Sequence, residues 1–133
     1  MNIIQNIQRL VYSQLVNIDF SESVNIYSCP NRNIDFPYIL LSFDEYEISR
    51  SFNYNLIEVK AKIRIFDKNE NNLPVLNITD DVHKAINELF NVSFEDFSIT
   101  EVSITGNELK LYNEINSVWN NTLNVKLLAK QTF

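Results

Sequence analysis

The chain has 133 residues, of which 17 are acidic and 11 are basic, so its net charge at pH 7 is −6. The basic residues form no run, and this excludes tight binding to a nucleic-acid backbone, which needs a concentrated positive surface. The length suits one domain, and we expect a single domain over residues 1–133. The one cysteine, Cys29, excludes an internal disulfide bond, and we expect it to be a small half-buried residue.

Residues 2–18 place apolar side chains at intervals of three and four, which predicts an amphipathic helix. Polar residues interrupt this segment too often for a signal peptide or a membrane span. We therefore expect a soluble, cytoplasmic protein that does not enter a membrane. The following segment "VNIYSCP", residues 24–30, predicts a short strand that ends at Pro30.

The stretch "NIDFPYILLSF", residues 33–43, combines a proline with two aromatic neighbours. Proline has no backbone N–H for a sheet ladder, so it belongs at the first residue of a strand. We predict that Phe36, Pro37 and Tyr38 form a structural strand entry anchored by the two rings. The strand itself is predicted over residues 38–48.

The segment "NLIEVKAKIRIFD", residues 55–67, alternates apolar and charged side chains. This alternation predicts a strand with one buried and one exposed face in an antiparallel sheet. The connection 47–55 predicts a hairpin with an extended tip. Arg50, Phe52 and Tyr54 in this tip are residue types enriched at interface hot spots, which makes them candidate oligomer or partner contacts. The alternative is a mobile loop whose rings fold back on their own sheet.

A second helix is predicted from Pro74, because apolar side chains again recur at helical spacing up to Phe90. Gly106 is expected in a turn or a bulge, and Trp119 is either a cap on the core or an interface anchor. Three alternating segments predict strands: 98–104, 108–115 and 121–130. The resulting fold class is α+β, an antiparallel sheet with two helices packed on one face.

The sequence offers no apparatus for catalysis. A single glycine excludes a glycine-rich phosphate loop, and the only histidine, His83, has no partner at catalytic or ligand spacing. We expect the clustered carboxylates to form a solvated face, with a general acid/base pair as the alternative; they are Asp44, Glu45, Glu47, Glu95 and Asp96. We therefore expect no catalytic, cofactor-binding or metal-binding residues, and no enzymatic activity.

The order of the elements and the motif "FPY" at Phe36, Pro37 and Tyr38 resemble a family of small phage proteins. These are the tail-completion, or tail-terminator, proteins of siphophages, prophages and gene transfer agents. The similarity covers residues 3 to 130 and includes "VNIYSC", "IEVKAKIRIFDKNEN" and "LNITDDVHKAINELF". The near absence of glycine and alanine departs from other members, and we attribute it to base composition.

The resemblance implies a structural protein without catalytic residues or a cofactor. Members form a ring, commonly a hexamer, that completes the tail tube and joins it to the head connector. This chain is then expected to form a homo-oligomeric ring, to contact a tail-tube protein and a head-connector protein, and to meet DNA only in passage through the channel. Its expected location is the host cytoplasm during assembly, and afterwards the tail of a virion or phage-like particle.

Two other functions stay open at this point. One is a small-ligand-binding or enzymatic α+β domain that acts as a monomer or dimer. The other is an adaptor that regulates a host protein through its acidic surface. The mass of the protein in solution distinguishes a ring from the first of these alternatives.

Overall fold

The computed structural model describes residues 3–28, 35–94 and 96–132. Cys29 and Glu95, which the sequence singled out, lie outside the described residues. Two helices and six strands follow one another in the order α1 Ile3–Val16, β1 Asn25–Tyr27, β2 Tyr38–Arg50, β3 Tyr54–Lys68, α2 Leu73–Asn87, β4 Ser93–Phe94, β5 Phe97–Asn113 and β6 Val118–Thr132.

All six strands join one sheet in the order β1-β2-β3-β6-β5-β4. Each neighbouring pair in the series β2, β3, β6, β5 and β4 is antiparallel. Strand β1 runs parallel to β2, with Asn25 beside Tyr38. The sheet is therefore mixed, and the prediction of a purely antiparallel sheet is wrong. Side-chain alternation is the same in both kinds of pair, so it carries no information on strand direction.

The C-terminal half differs from the prediction in two details. Segments 98–104 and 108–113 belong to one strand, β5, because Gly106 lies within a bulge of a continuous ladder with β6, and residues 114 and 115 of the predicted second segment lie in the following turn. At Gly106 the backbone has φ of 65°, a conformation that suits glycine. A two-residue strand, β4, also pairs with the beginning of β5 and was not predicted.

The hydrophobic core lies against alternate residues of the central strands. On β3 every second side chain from Ile57 to Ile65 is buried, and on β6 the same is true from Leu123 to Ala129. Helix α1 contacts β2, helix α2 contacts β3, β5 and β6, and the two helices contact each other. Both helices contribute to one buried cluster, through Ile4, Ile7, Val11, Leu15, Val75, Ile78, Val82 and Ile86. The α+β class is confirmed, while the placement of both helices on one face stays a prediction.

Helix α2 begins as the sequence indicates. Pro74 lies in its first turn, where the missing N–H costs no helical hydrogen bond. The side-chain Oδ1 of Asn71 accepts a hydrogen bond from the N–H of Leu73 at 2.9 Å. This contact satisfies one of the backbone donors that a helix start leaves unpaired.

Candidate assembly surfaces

The hairpin between β2 and β3 ends in a tight turn over residues 51–53. The N–H of Ser51 donates a hydrogen bond to the carbonyl of Tyr54 at 2.8 Å. Strand β2 continues to Arg50, so the predicted extended tip over 47–55 is wrong: most of that segment is sheet ladder. At the turn itself Phe52 is 96% exposed.

The three residues predicted for this tip have different environments. Arg50 is exposed at the end of β2, and Phe52 projects into solvent. Tyr54 is half-buried, and the Nζ of Lys130 on β6 lies 4.6 Å from the centre of its ring. A cation above a tyrosine ring stabilises such a contact by about 0.5–1 kcal/mol at a surface site. The tip therefore presents Arg50 and Phe52, whereas Tyr54 is held against the sheet.

Trp119 lies at the other end of the sheet. It pairs with Asp67 on β3, whereas Tyr54 pairs with Thr132. Its side chain is half-buried and packs against the hydrophobic core, and its Nε1 is buried without a hydrogen-bond partner among the described residues. The structure therefore does not bring Trp119 together with Arg50 and Phe52.

A second exposed apolar tip joins β5 to β6. Ile115 in this turn is 94% exposed. The turn follows Asn113, which pairs with Val118, and it therefore lies at the end of the sheet where β2 begins. Because the 15-residue strands β3 and β6 span about 50 Å at an ordinary rise per residue, Phe52 and Ile115 mark opposite ends of the sheet.

The strand entry is part of a larger aromatic cluster. The ring of Tyr38 stacks on that of Phe66 with centroids 4.7 Å apart, and Phe36 lies 5.4 Å from Tyr38. Tyr27 and Tyr112 meet the cluster edge-on, at 6.3 Å from Tyr38 and 5.5 Å from Phe66 respectively. Burial, and to a smaller extent the neighbouring Tyr112, raise the pKa of Tyr38. The cluster links β1, β2, β3 and β5, and the Phe36–Pro37 peptide bond is cis.

The sheet face opposite the core side chains carries acidic and basic groups side by side. Lys60 Nζ lies 3.0 Å from a carboxylate oxygen of Glu45 and 3.9 Å from one of Glu58, which in turn is 3.8 Å from Lys126. The hydrogen bond from Lys60 to Glu45, followed by the charge of Glu45, raises the pKa of this lysine.

Two further ion pairs lie on strands of the same sheet. Lys62 lies 3.9 Å from Asp44, and Lys110 lies 2.8 Å from Glu108. The charges of this face therefore largely compensate one another. Of the carboxylates that the sequence grouped together, Asp44 and Glu45 form ion pairs with lysines. Glu47 is exposed on β2, and Asp96 accepts a hydrogen bond from Gln131.

An open groove of about 720 Å³ lies between α1 and strand β2. Among the described residues its lining includes one charged side chain, Arg9, with glutamines 5 and 8, Tyr12 and the β2 residues 41–43. A second groove of about 380 Å³ continues along β2 as far as Tyr46 and shares Gln8 and Phe43 with the first. Together they follow the outer edge of β2.

The described residues that could bind a metal ion or act as an acid or base have the following surroundings. Within the described ranges, no group of three histidine, cysteine, aspartate or glutamate side chains could hold a metal ion. His83 is exposed, and its Nδ1 lies 3.0 Å from the amide nitrogen of Asn87. Asp67 is buried, and burial, followed by the charge of Glu22, raises its pKa, which the N–H of Lys68 opposes.

No family model matches the sequence, and no curated protein matches it significantly. The fold does have a counterpart. A chain in the solved structure of the virion of a native gene transfer agent particle superposes with a TM-score of 0.67. The match covers 90% of this chain and 91% of the other, at 11% sequence identity. At this identity the comparison shows a shared fold over nearly the whole chain. Within the residues that the structure describes, no helix is long and apolar enough to cross a membrane.

The sequence pattern did not indicate several residues that the structure places at the surface or in the aromatic cluster. Phe66 and Tyr112 join the aromatic cluster, and Leu111 and Ile115 are exposed. Phe66 occupies a position where the alternation of β3 places an exposed side chain. A large aromatic residue at this outward position was the sequence signal that Phe66 belongs to a cluster. Its partner Tyr112 lies too far away in the sequence for the contact to be predicted.

Proposed function

We propose that this chain is a structural protein of a phage-like particle, and that it forms a ring that completes the tail tube and joins it to the head connector. The observation that carries the proposal is the whole-chain fold similarity to a chain of a gene transfer agent virion. The resemblance of the motif at Phe36, Pro37 and Tyr38 to tail-terminator proteins gives the more specific role.

The two exposed tips support such a role. A protein placed between a tube and a connector needs a contact surface at each end of its fold. Phe52 and Ile115 supply exposed apolar side chains at opposite ends of the sheet. Single exposed apolar side chains are common on protein surfaces, but at the two ends of a ring they would bury apolar area against a partner.

The charge-compensated face supports passage of DNA without adhesion. Lys60, Lys62 and Lys126 each lie within 4.0 Å of a carboxylate oxygen, so they are not a free positive surface. DNA gains affinity by releasing counterions when free lysines and arginines replace them. A ring whose lumen is lined by this face, with a net charge of −6 on each chain, would hold DNA weakly.

The protein acts, on this proposal, without a catalytic step or a cofactor. Its location is the host cytoplasm during assembly and then the tail of the particle. The alternative of a ligand-binding or enzymatic domain gains little from the groove of about 720 Å³, whose lining among the described residues carries Arg9 as its one charged side chain. A catalytic pocket usually combines apolar walls with converging polar groups.

Sedimentation and electron microscopy test the proposal. The purified chain is measured at rising concentration, alone and with a tail-tube protein of the same particle. We expect closed rings of uniform subunit number that bind one end of the tube. A chain that stays monomeric under all these conditions and does not bind the tube would refute the proposed function.

A further inference from the structure

Strands β2 and β5 each lie next to a short edge strand, β1 or β4, which covers only part of their length. Strand β1 pairs with β2 at Tyr38–Leu40. Among the described residues no strand pairs with β2 beyond that point on its outer side, and residues 44–50 are all exposed. We call residues 44–50 the β2 edge.

The other side of the sheet repeats this arrangement. Strand β4 pairs with Phe97 and Ser98, and the segment at Asn91 and Val92 exchanges backbone hydrogen bonds with Ile99. From Glu101 onward no described strand covers β5 on its outer side. We call the C-terminal part of this strand, residues 108–113, the β5 edge.

We infer that the β2 edge of one copy pairs antiparallel with the β5 edge of the next copy, so that the ring rests on a sheet continued from subunit to subunit. This inference rests on the proposed ring and specifies its contact. The strand directions permit it: β2 and β5 run in opposite directions within one sheet. If the copies are related by rotation about an axis parallel to the strands, each strand keeps its direction in every copy. Strand β2 of one copy therefore lies antiparallel to β5 of the next copy.

The side chains of the two edges complement each other face by face. Tyr46 and Ile48 share the core side of the sheet with Val59 and Ile57, and they are 58% and 41% exposed. Leu111 lies on that same side through its pairing with Trp119 and is 41% exposed. Pairing would bury these apolar groups against one another.

The other face brings opposite charges together. Glu47 lies on the polar face of β2 opposite Glu58, and Lys110 lies on the polar face of β5 opposite Asn120. Both side chains are exposed, and Lys110 also lies 2.8 Å from Glu108 of its own strand, a surface pair that leaves its other donors available. A cross-strand pair of opposite charge stabilises a sheet, whereas like charges destabilise it.

The two edges lie at opposite ends of the sheet, and this restricts how neighbouring copies can be placed in the ring. The β2 edge lies near the Phe52 end of the sheet, and the β5 edge lies near the Ile115 end. They can meet only if neighbouring copies are displaced along the strands. A closed sheet acquires such a displacement when its strands tilt relative to the axis.

Bulges limit the contact to a short run. The ladder of β5 shifts register between Thr105 and Glu108 and again between Leu111 and Asn113, so four residues lie between the two irregularities. Bulges at an edge oppose unlimited pairing of strands. One contact of this kind is therefore weak, and closure of the ring, in which every copy makes two contacts, supplies the stability.

Two variants with a charge on one edge each provide the main test. Tyr46→Glu blocks the β2 edge and Leu111→Glu blocks the β5 edge, while Phe90→Glu is the control, since Phe90 is 54% exposed after the end of α2. We expect each edge variant to raise the assembly concentration by about tenfold or more, the effect of a lost central contact, and the control to assemble as the wild type does. Circular dichroism melts check that all three fold.

Mixing the two edge variants distinguishes this contact from others. Each variant retains one intact edge. At a concentration at which the wild type assembles and each variant alone is monomeric, an equimolar mixture should therefore form heterodimers and nothing larger. Exchanging the charges in the double variant Glu47→Lys with Lys110→Glu should restore assembly that Glu47→Lys alone weakens. Amide hydrogen exchange should slow at both edges when the wild type assembles.

The outcomes separate the inference from the function. Rings that form normally from either edge variant, or edges whose amides exchange equally fast in ring and monomer, overturn the sheet-edge contact and leave the proposed ring intact. A wild-type chain that stays monomeric at its highest soluble concentration, both alone and with the tail tube, also overturns self-pairing. Failure to bind the tail tube, with rings present, counts against the proposed function alone.

Discussion

The side-chain amide of Asn121 donates a hydrogen bond to the Oγ1 of Thr79 at 2.9 Å, and this contact joins β6 to α2 inside the core. Both residues are buried, and Thr79 in turn donates to the carbonyl of Val75 at 2.8 Å. The Oδ1 of Asn121 has no hydrogen-bond partner among the described residues. A buried donor that loses its acceptor keeps its full desolvation cost.

Thr79→Val should therefore lower the free energy of unfolding by about 1–3 kcal/mol, because the amide of Asn121 is left unpaired. Adding Asn121→Leu should recover most of this loss, since both polar partners are then replaced by apolar groups. Urea unfolding of the two single variants and the double variant measures the coupling. Thr132→Val, at an exposed threonine near the end of β6, is the control, and additive losses would contradict the coupled pair.

Gly106 and Ser117 both have positive φ, so exchanging the residue type should change the stability of the fold in opposite directions at the two positions. A Cβ at Gly106 would collide with the side-chain amide nitrogen of Asn124, and φ is 65° there. Gly106→Ala should destabilise the fold by about 1–2 kcal/mol, the cost of that backbone region for an ordinary residue. Ser117 has φ of 53°, and Ser117→Gly should stabilise the fold by roughly 0.5 kcal/mol.

Thermal unfolding of both variants checks these signs. Adding Asn124→Ala to Gly106→Ala removes the steric part and leaves the backbone part of the loss. A Gly106→Ala variant as stable as the wild type would show that the bulge takes another conformation.

The buried carboxyl of Asp67 makes stability depend on pH. Its pKa is raised above 3.8 in the folded chain, chiefly by burial, so the folded state binds a proton more tightly than the unfolded state does. The stabilisation is present at low pH and is lost as the pH rises through the folded pKa of Asp67. Asp67→Asn keeps an acceptor for the N–H of Lys68 and removes the charge.

Asp67→Asn should accordingly raise the free energy of unfolding at neutral pH and flatten its fall between acidic and neutral pH. Urea unfolding at a series of pH values measures both effects. Asp80→Asn, at an exposed aspartate, is the control for the loss of a carboxylate at the surface. A variant that is less stable than the wild type at neutral pH would contradict the assignment.

The two hairpin tips should affect assembly without affecting the fold. Phe52→Ser and Ile115→Ser remove side chains that are 96% and 94% exposed, so each should change the free energy of unfolding by less than about 0.5 kcal/mol. Each should weaken binding at one end of the ring only. Tyr54→Ser differs, because the half-buried ring under Lys130 is lost, and it should cost about 1 kcal/mol.

Pull-down of the tail-tube and head-connector proteins by rings of each variant measures these contacts. One tip variant should lose the tube and the other should lose the connector. If both variants retain both partners, the tips are solvent-exposed turns without a binding role.

Double-stranded DNA should not bind the chain at physiological salt. The lysines of the polar sheet face are paired with carboxylates, Lys60 with Glu45 and Lys62 with Asp44. Changing Glu45, Glu58 and Asp44 to their amides should convert this face into a DNA-binding surface. Its affinity should fall with salt, with a slope of about 0.9 per phosphate contact. Fluorescence anisotropy over a salt series gives both results, and salt-dependent binding by the wild type would refute the compensated face.

Local periodicity in the sequence determined the helices, the long strands and their buried faces. Helical spacing in α1 and α2 and alternation along β3 and β6 depend on neighbours within a few residues, so a linear reading captures them. The same reading found no catalytic set, and it singled out the strand entry at Phe36, Pro37 and Tyr38.

The tertiary structure alone decided how these elements meet. The parallel direction of β1, the contact of Phe66 with Tyr112 and the offset of the β2 and β5 edges follow from strand order and from the path of the connections. A side chain's alternation is identical whichever strand lies beside it. The surfaces available to a partner therefore depend on which edges the fold leaves uncovered, and local pattern does not contain that information.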